Sequence, residues 1–167
     1  WLTFRSTEIA NFANRVRQTV DQYNKQNNRN VEMAAYVGSW YELYYQNGVN
    51  WASSNFKYDD RLNFPESRIY SPEYSKTSYT GLLDFLMIGT YYKTPQEIAK
   101  YTTLGNILTN GELPLVASIS LPDLKDEYRA DILESAVDKS SGVMVFDLCY
   151  ILDWDMFTGQ MKNIKNK

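Results

Sequence analysis

A chain with no histidine and a single cysteine, Cys149, has few ways to do chemistry. The usual zinc sites and every Ser/His/Asp or Cys/His mechanism are excluded, which leaves carboxylates, Tyr, Lys or a hard cation. The carboxylates best placed for such work are Glu42 and Asp147. Glu42 falls in Val31 to Trp51, VEMAAYVGSWYELYYQNGVNW, just past an apolar run and among aromatic side chains. Desolvation by such neighbours raises a carboxyl pKa, as a general acid requires; on a short solvated helix the same residue has no such role. Asp147 stands within VMVFDLCY on the parity of Val143 and Val145. An acid inside a buried strand must be paired or hydrogen-bonded, so it either lines a site or holds a neighbouring loop.

The aromatics around Glu42 have their own chemistry. Trp40, Tyr41, Tyr45 and Trp51, with Tyr44, offer apolar faces with polar tips, a means of holding a sugar ring while Asn50 or Ser39 takes its hydroxyls. Tyr44 and Tyr45 are adjacent and cannot both face one way on a helix, so about half of this set is expected to be packing. Tyr91 and Tyr92 end a second apolar run, and one of the two is expected to point toward the same site. Ser118 and Ser120 share one face of a third run and read as hydrogen-bonding groups, since no histidine is present to activate them. Asp84, near the start of its run, reads as structural. Asp59, Asp60, Glu66 and Glu73 match no EF-hand spacing and read as solvated loop acids, so no metal site is expected.

The elements that must position these residues alternate. A helical stripe, Ile9, Phe12, Ala13, Val16, Val20 and Tyr23, runs from Thr7 to about Gln26 with Ser6 as N-cap. Val31 to Ser39 is apolar on both parities apart from Glu32, which suits a strand covered on both faces. Residues 40–81 lack a clean period and read as a long excursion over one rim, with short helical turns near 41–46 and 72–79. Leu82 to Tyr92 is a second strand; Thr94, Pro95 and Glu97 then supply an N-cap, an N1 proline and the acid of a capping box for a helix that stops at Gly111. Leu115 to Leu121, a helix opened by Pro122 and Asp123 and ended by Gly142, Val143 to Tyr150, and a helix after Asp153 with Trp154, Phe157, Met161 and Ile164 on one side complete the chain.

Short apolar strands alternating with helices imply an α/β fold with parallel strands and right-handed crossovers. An open doubly wound sheet and part of a (β/α)8 barrel both satisfy that order. No Gly-rich phosphate loop follows any strand. The 167 residues suffice for one domain, 44% apolar and 22% charged content is that of a soluble globular protein, and no apolar run approaches the roughly 20 residues of a membrane span. Seventeen scattered basic residues against 20 acidic ones give no footprint for nucleic acid. The opening WLTFRSTEIANF has no signal-peptide pattern and reads as the interior of a longer protein.

Three words, WLTFRSTEI, YVGSWYELYYQNGVNWAS and LLDFLMIGTYY, resemble in that order the C-terminal half of bacterial glycoside-hydrolase-like barrels, often labelled alpha-amylase-family proteins. The resemblance covers roughly the first ninety residues. It departs at Glu42, where that family reads Pro. What it implies is a partial (β/α)8 TIM barrel spanning 1–167: strands 5 to 8 with flanking helices and a rim excursion at about 41–81. It further implies a parent enzyme that cleaves carbohydrate through a carboxylate pair, here Glu42 and Asp147 as candidates, with the strand-4 acid lying upstream. The fragment alone is expected to be inactive. Trp40, Tyr41, Tyr45, Asn50, Trp51, Tyr91 and Tyr92 would bind the sugar; no cofactor is implied. The expected partners are carbohydrate and either the missing half of the barrel or a second copy, at a secreted or cell-envelope location. The alternatives are a non-catalytic sugar-binding barrel at the cell surface and a self-standing α/β assembly domain.

Overall fold

The computed structural model describes residues 1–57, 71–123, 129–151 and 153–165. Four strands, β1 (Ala34–Gly38), β2 (Phe85–Gly89), β3 (Leu115–Ser120) and β4 (Gly142–Phe146), form one parallel sheet in the order β1-β2-β3-β4. Sheet order therefore follows chain order without reversal, whereas a doubly wound sheet changes direction at a switch point. Right-handed crossovers wound in one direction put every connection on the same face. The helices are α1 (Leu2–Asn27), the single turns α2 (Tyr41–Tyr44) and α3 (Pro72–Ser75), α4 (Pro95–Leu108), α5 (Arg129–Lys139) and α6 (Trp154–Lys165).

The register fixes two unlike faces. Ala35, Val37, Leu86, Ile88, Leu115, Ala117, Ile119, Val143 and Val145 share the parity that faces the helices, and Leu86, Ile88, Leu115 and Ala117 are fully buried there. Tyr36, Met87, Val116, Met144 and Phe146 lie on the opposite parity, where Tyr36 and Phe146 are about half exposed. Cover on both faces was expected for the first strand from its continuous apolar run; among the described residues the second face is the less covered, with Tyr36 about half exposed. Apolar runs of this kind cannot tell a sheet covered twice from one whose second face is open.

Behind β3 and β4 the covering layer is regular: Ile98 of α4 and Ile132, Leu133 and Ala136 of α5 pack with Ala117 and Ile119, and Phe157 of α6 joins them. Behind β1 and β2 it is not. The crossover between them includes the excursion, whose Tyr41, Trp51, Ala52, Phe56, Tyr74 and Tyr79 pack with Val37, Leu86 and Leu108. Its polar side chains satisfy the irregular backbone: Asn50 donates to the Tyr74 carbonyl (2.9 Å) and Thr77 (3.2 Å), and the Ser78 hydroxyl to the Ala52 carbonyl (2.6 Å). At the far end Ser53 and Asn55 donate to the Glu112 carboxylate at 2.5 and 2.8 Å, tying the excursion to the α4–β3 turn. Its described residues thus reach from the C-terminal end of β1 to the turn at the N-terminal end of β3.

Several local expectations were met and some were not. Thr94 caps α4 as expected, accepting from the Glu97 amide, but the Glu97 carboxylate accepts from the Thr94 hydroxyl, where a capping box would bond it to the Thr94 amide. Helix α4 ends at Leu108, with Asn110 and Gly111 in the left-handed region. Ser6 is not an N-cap: α1 starts at Leu2, so Ser6 is buried within the helix and donates to the Leu2 carbonyl. Asp84 is structural, accepting from Arg17 (2.8 Å) and the Met33 amide (2.6 Å) and so locking α1 to the starts of β1 and β2. Strand β4 ends at Phe146, one residue before Asp147.

Candidate functional site

The C-terminal ends of the strands carry two groups of aromatic rings. In the first, Trp40 follows β1 and meets Tyr92 edge-on at 6.3 Å, and Tyr92 stacks on Tyr101 of α4 at 4.3 Å. The Ser39 and Tyr92 hydroxyls lie 2.8 Å apart, fixing the Tyr92 ring. Trp40 itself is 44% exposed, so a large flat apolar surface stands free on a braced support.

The second group crosses the open face of the sheet. Tyr36 on β1, Tyr91 past β2 and Phe146 at the end of β4 follow one another with centroids 6.5 and 6.2 Å apart, each pair tilted by 33°. All three rings are partly exposed, at 46, 41 and 49%. Small residues, Gly38, Gly89 and Ser118, stand at one level of the register, and the Tyr36 ring lies over Gly89. A Cβ at Gly89 would clash with the Tyr36 hydroxyl, and one at Gly38 with the Tyr44 ring. Burial, and then a hydrogen bond with the Tyr91 hydroxyl, push the Tyr36 phenol well above its ordinary pKa, so it stays neutral.

Of the residues expected to bind sugar, the structure brings Trp40, Tyr91 and Tyr92 to this rim. Three others go elsewhere. Tyr41 and Trp51 are fully buried, edge to face at 5.1 Å, and Asn50, 2% exposed, accepts from the Tyr41 hydroxyl at 2.9 Å. A ring with no exposed face cannot stack on a ligand; these three hold the excursion against the sheet. Tyr45 lies in a 3-10 turn and Glu42 in α2, with both side chains outside the described residues, as are Asp59, Asp60 and Glu66. Glu73 sits in the first turn of α3. Tyr36 and Phe146 were not anticipated. The signal for Tyr36 is Gly89, which comes to lie beneath its hydroxyl only once the strands are aligned.

Asp147 caps the 3-10 turn at Leu148–Tyr150, accepting from the Cys149 amide at 2.8 Å. Hydrogen bonds from the Cys149 thiol and then its amide hold the Asp147 carboxyl below the usual range, the opposite of what a general acid needs. Ser118 is fully buried with its hydroxyl toward the Met144 sulfur at 4.0 Å, and its carbonyl accepts from Thr90. Among the described residues no cluster of three or more His, Cys, Asp or Glu is placed to hold a metal ion.

The geometry defines a class: an α/β layer with one open face and an aromatic rim at the C-terminal ends of its strands. Comparison with known proteins adds one relative. An S-layer-related protein of Niallia circulans is 40% identical over 165 residues, a match that covers 98% of this chain and 10% of that protein. The chain thus spans about a tenth of the length of that curated relative. No family model matches the chain, and no solved structure does.

These findings correct the family expectation. The three sequence words that resemble glycoside-hydrolase-like, alpha-amylase-family barrels are matched by no family model, and the relative found is described by its relation to surface layers, not as a hydrolase. The hydrolase assignment and the carboxylate-pair reaction of Glu42 and Asp147 fall with it. Short aromatic-rich words at strand ends are repeated by proteins that share a packing solution without sharing a reaction.

Proposed function

We propose that this chain is a non-catalytic carbohydrate-binding part of a cell-surface protein, gripping glycan at the rim through Trp40, Tyr91 and Tyr92. The observation that carries this reading is the half-exposed Trp40 indole braced by Tyr92 and Tyr101, since a large apolar face held rigid in water is a binding surface rather than packing. A relative related to surface layers supports a secreted or cell-envelope location. Among the described residues no helix is long and apolar enough to cross a membrane.

The sheet is read as one wall of a (β/α)8 barrel, its second four strands, with 1–167 as the C-terminal half. Unreversed strand order, connections on one face and aromatics at the C-terminal ends all support this. The outer layer also specifies the complement. Helix α1 precedes β1 and α6 follows β4, so each joint already has its helix. The missing half is then four strands with three internal connections, beginning and ending in a strand. A second copy of this chain would bring two helices to each joint where a barrel takes one, which makes it the poorer partner.

Retention of the chain on insoluble bacterial wall polysaccharide tests the binding reading. The native chain is expected to be retained and Trp40→Ala to wash off, losing about tenfold in affinity, or ~1.4 kcal/mol. Equal retention of both proteins, or retention of neither, refutes it.

A further inference from the structure

Helix α1 carries an apolar stripe wider than the sheet it lies against. Ala13 is buried, but Phe12 is 62% exposed and Tyr23 50%, and both share one flank of the helix with the partly buried Val16. Beside that flank a groove of about 280 Å³ opens between α1 and the first strand, lined in part by Ile9, Phe12, Val16, Met33, Ala35 and Leu83. We propose that this groove and the free edge of β1 dock one further parallel strand, the stretch of the parent chain that leads into α1. This assignment rests on the reading of the sheet as one wall of a larger one and is independent of glycan binding.

The edge is fit for pairing. The Met33 amide and carbonyl both bond to Asp84, on the β2 side. Backbone groups alternate along a strand, so Ala34, Tyr36 and Gly38 turn their N–H and C=O groups toward the free edge. Among the described residues no strand pairs there, and β1 has neither the proline nor the lysine that commonly blunts an exposed edge. Chain direction then fixes where the preceding strand goes. Helix α1 packs on the same face as α4 and α5, and strand order follows chain order, so a right-handed crossover through α1 starts from a strand on the free side of β1.

The groove suits side chains rather than a small molecule. Its volume falls below the roughly 300–1,000 Å³ of small-ligand sites, and among the described residues no charged side chain lines it. Ala35, on the helix-facing parity, is only partly buried where Val37 is at 2%. An incoming strand sets a helix-facing residue beside Ala35, and a large one there, such as Leu, Met or Phe, closes over Phe12 and Val16. A second copy does this poorly. Paired edge to edge about a twofold axis normal to the sheet, it would run antiparallel and bring its own α1 to the same place. Chain is available upstream or downstream, since the match covers only 10% of the curated relative.

Hydrogen exchange read by mass spectrometry without glycan, on the 167-residue chain and on its full-length parent, tests the docking. In the parent, the peptide covering Ala34–Gly38 is expected to exchange at least about tenfold more slowly than in the chain alone, with β3 peptides alike in both. Phe12→Asp is expected to abolish that difference in the parent, and unchanged exchange in β3 shows that the variant is folded. The parent's sequence gives a second check: an apolar run of strand length is expected within about a dozen residues before Trp1. Equal exchange of β1 in parent and chain, or a wholly polar stretch before Trp1, overturns the proposal. So does a 167-residue chain that light scattering shows to be a dimer with β1 already protected, because a second copy then fills the groove. Failure here leaves glycan retention at the rim untouched, and a parent protected at β1 but open at β4 keeps the docking while refuting a closed barrel.

Discussion

The two halves of the sheet are backed in different ways, and the contrast separates the roles of the chain's aromatic residues. Behind β3 and β4, helices α4 and α5 satisfy their own backbones and need only an aliphatic stripe, Ile98, Ile132, Leu133 and Ala136, to seal the sheet. Behind β1 and β2, the excursion does not satisfy its own backbone. It recruits Asn50, Ser53, Thr77 and Ser78 as hydrogen-bonding partners, and large rings, Tyr41, Trp51, Tyr74 and Tyr79, that pack with Ala13 of α1 and Leu108 of α4. Aromatic residues therefore do two jobs in this molecule. On the helix side they are core, and at the rim and open face they stand in water.

Substitutions can break this contrast in graded steps. Trp51→Ala should be the most damaging, at about 4 kcal/mol, because Trp51 is the largest fully buried side chain and its loss leaves the largest cavity. Ile132→Ala, on the regular side, should cost about 3 kcal/mol, with urea denaturation measuring both. If the second exceeds the first, the excursion is a loose cover and the account of its aromatics is wrong. Asn50→Ala removes two donated bonds and the acceptor for Tyr41, and about 2 kcal/mol is expected.

Much of the first half of this contrast was legible beforehand. Thr94, Pro95 and Glu97 announced α4, and the short apolar runs announced four strands in an alternating order, because caps and runs are local signals. The roles of the aromatics in Val31 to Trp51 were not legible. Trp40 and Trp51 are eleven positions apart in one word and end on opposite fates, one braced in water and one at 0% exposure. What decides between them is the path of a segment without a period, and that path is set by tertiary contacts such as Asn50 to Tyr74. Tyr36 was hidden for a related reason: in sequence it interrupts an apolar strand, and only the register sets it over Gly89.

A smaller effect is expected where α1 is tied to the sheet. The Met33 amide, and then Arg17, hold the Asp84 carboxyl below its usual range. A carboxyl whose pKa is lower in the folded state stabilises the fold above its unfolded pKa of about 3.9, and that contribution fades as pH falls through the folded value. Asp84→Asn should therefore cost about 1 kcal/mol at neutral pH, modest because the pair is partly solvated, and the gap to the native chain should close in acid. A gap that widens on acidification would reverse the sign of the argument. Smallest of all, Trp40→Ala should change stability by less than about 0.5 kcal/mol, since most of the ring's exposed face has no protein partner.

That last substitution also gives the most direct test of the central claim, that the rim aromatics bind glycan while their buried counterparts only hold the fold. Calorimetric titration of soluble wall polysaccharide into the native chain and into Trp40→Ala, with Tm recorded for each, separates the two roles. The expected result is an unchanged Tm and about a tenfold loss of affinity in the variant. A native chain that does not bind, or a variant that binds as well as the native chain, would contradict it.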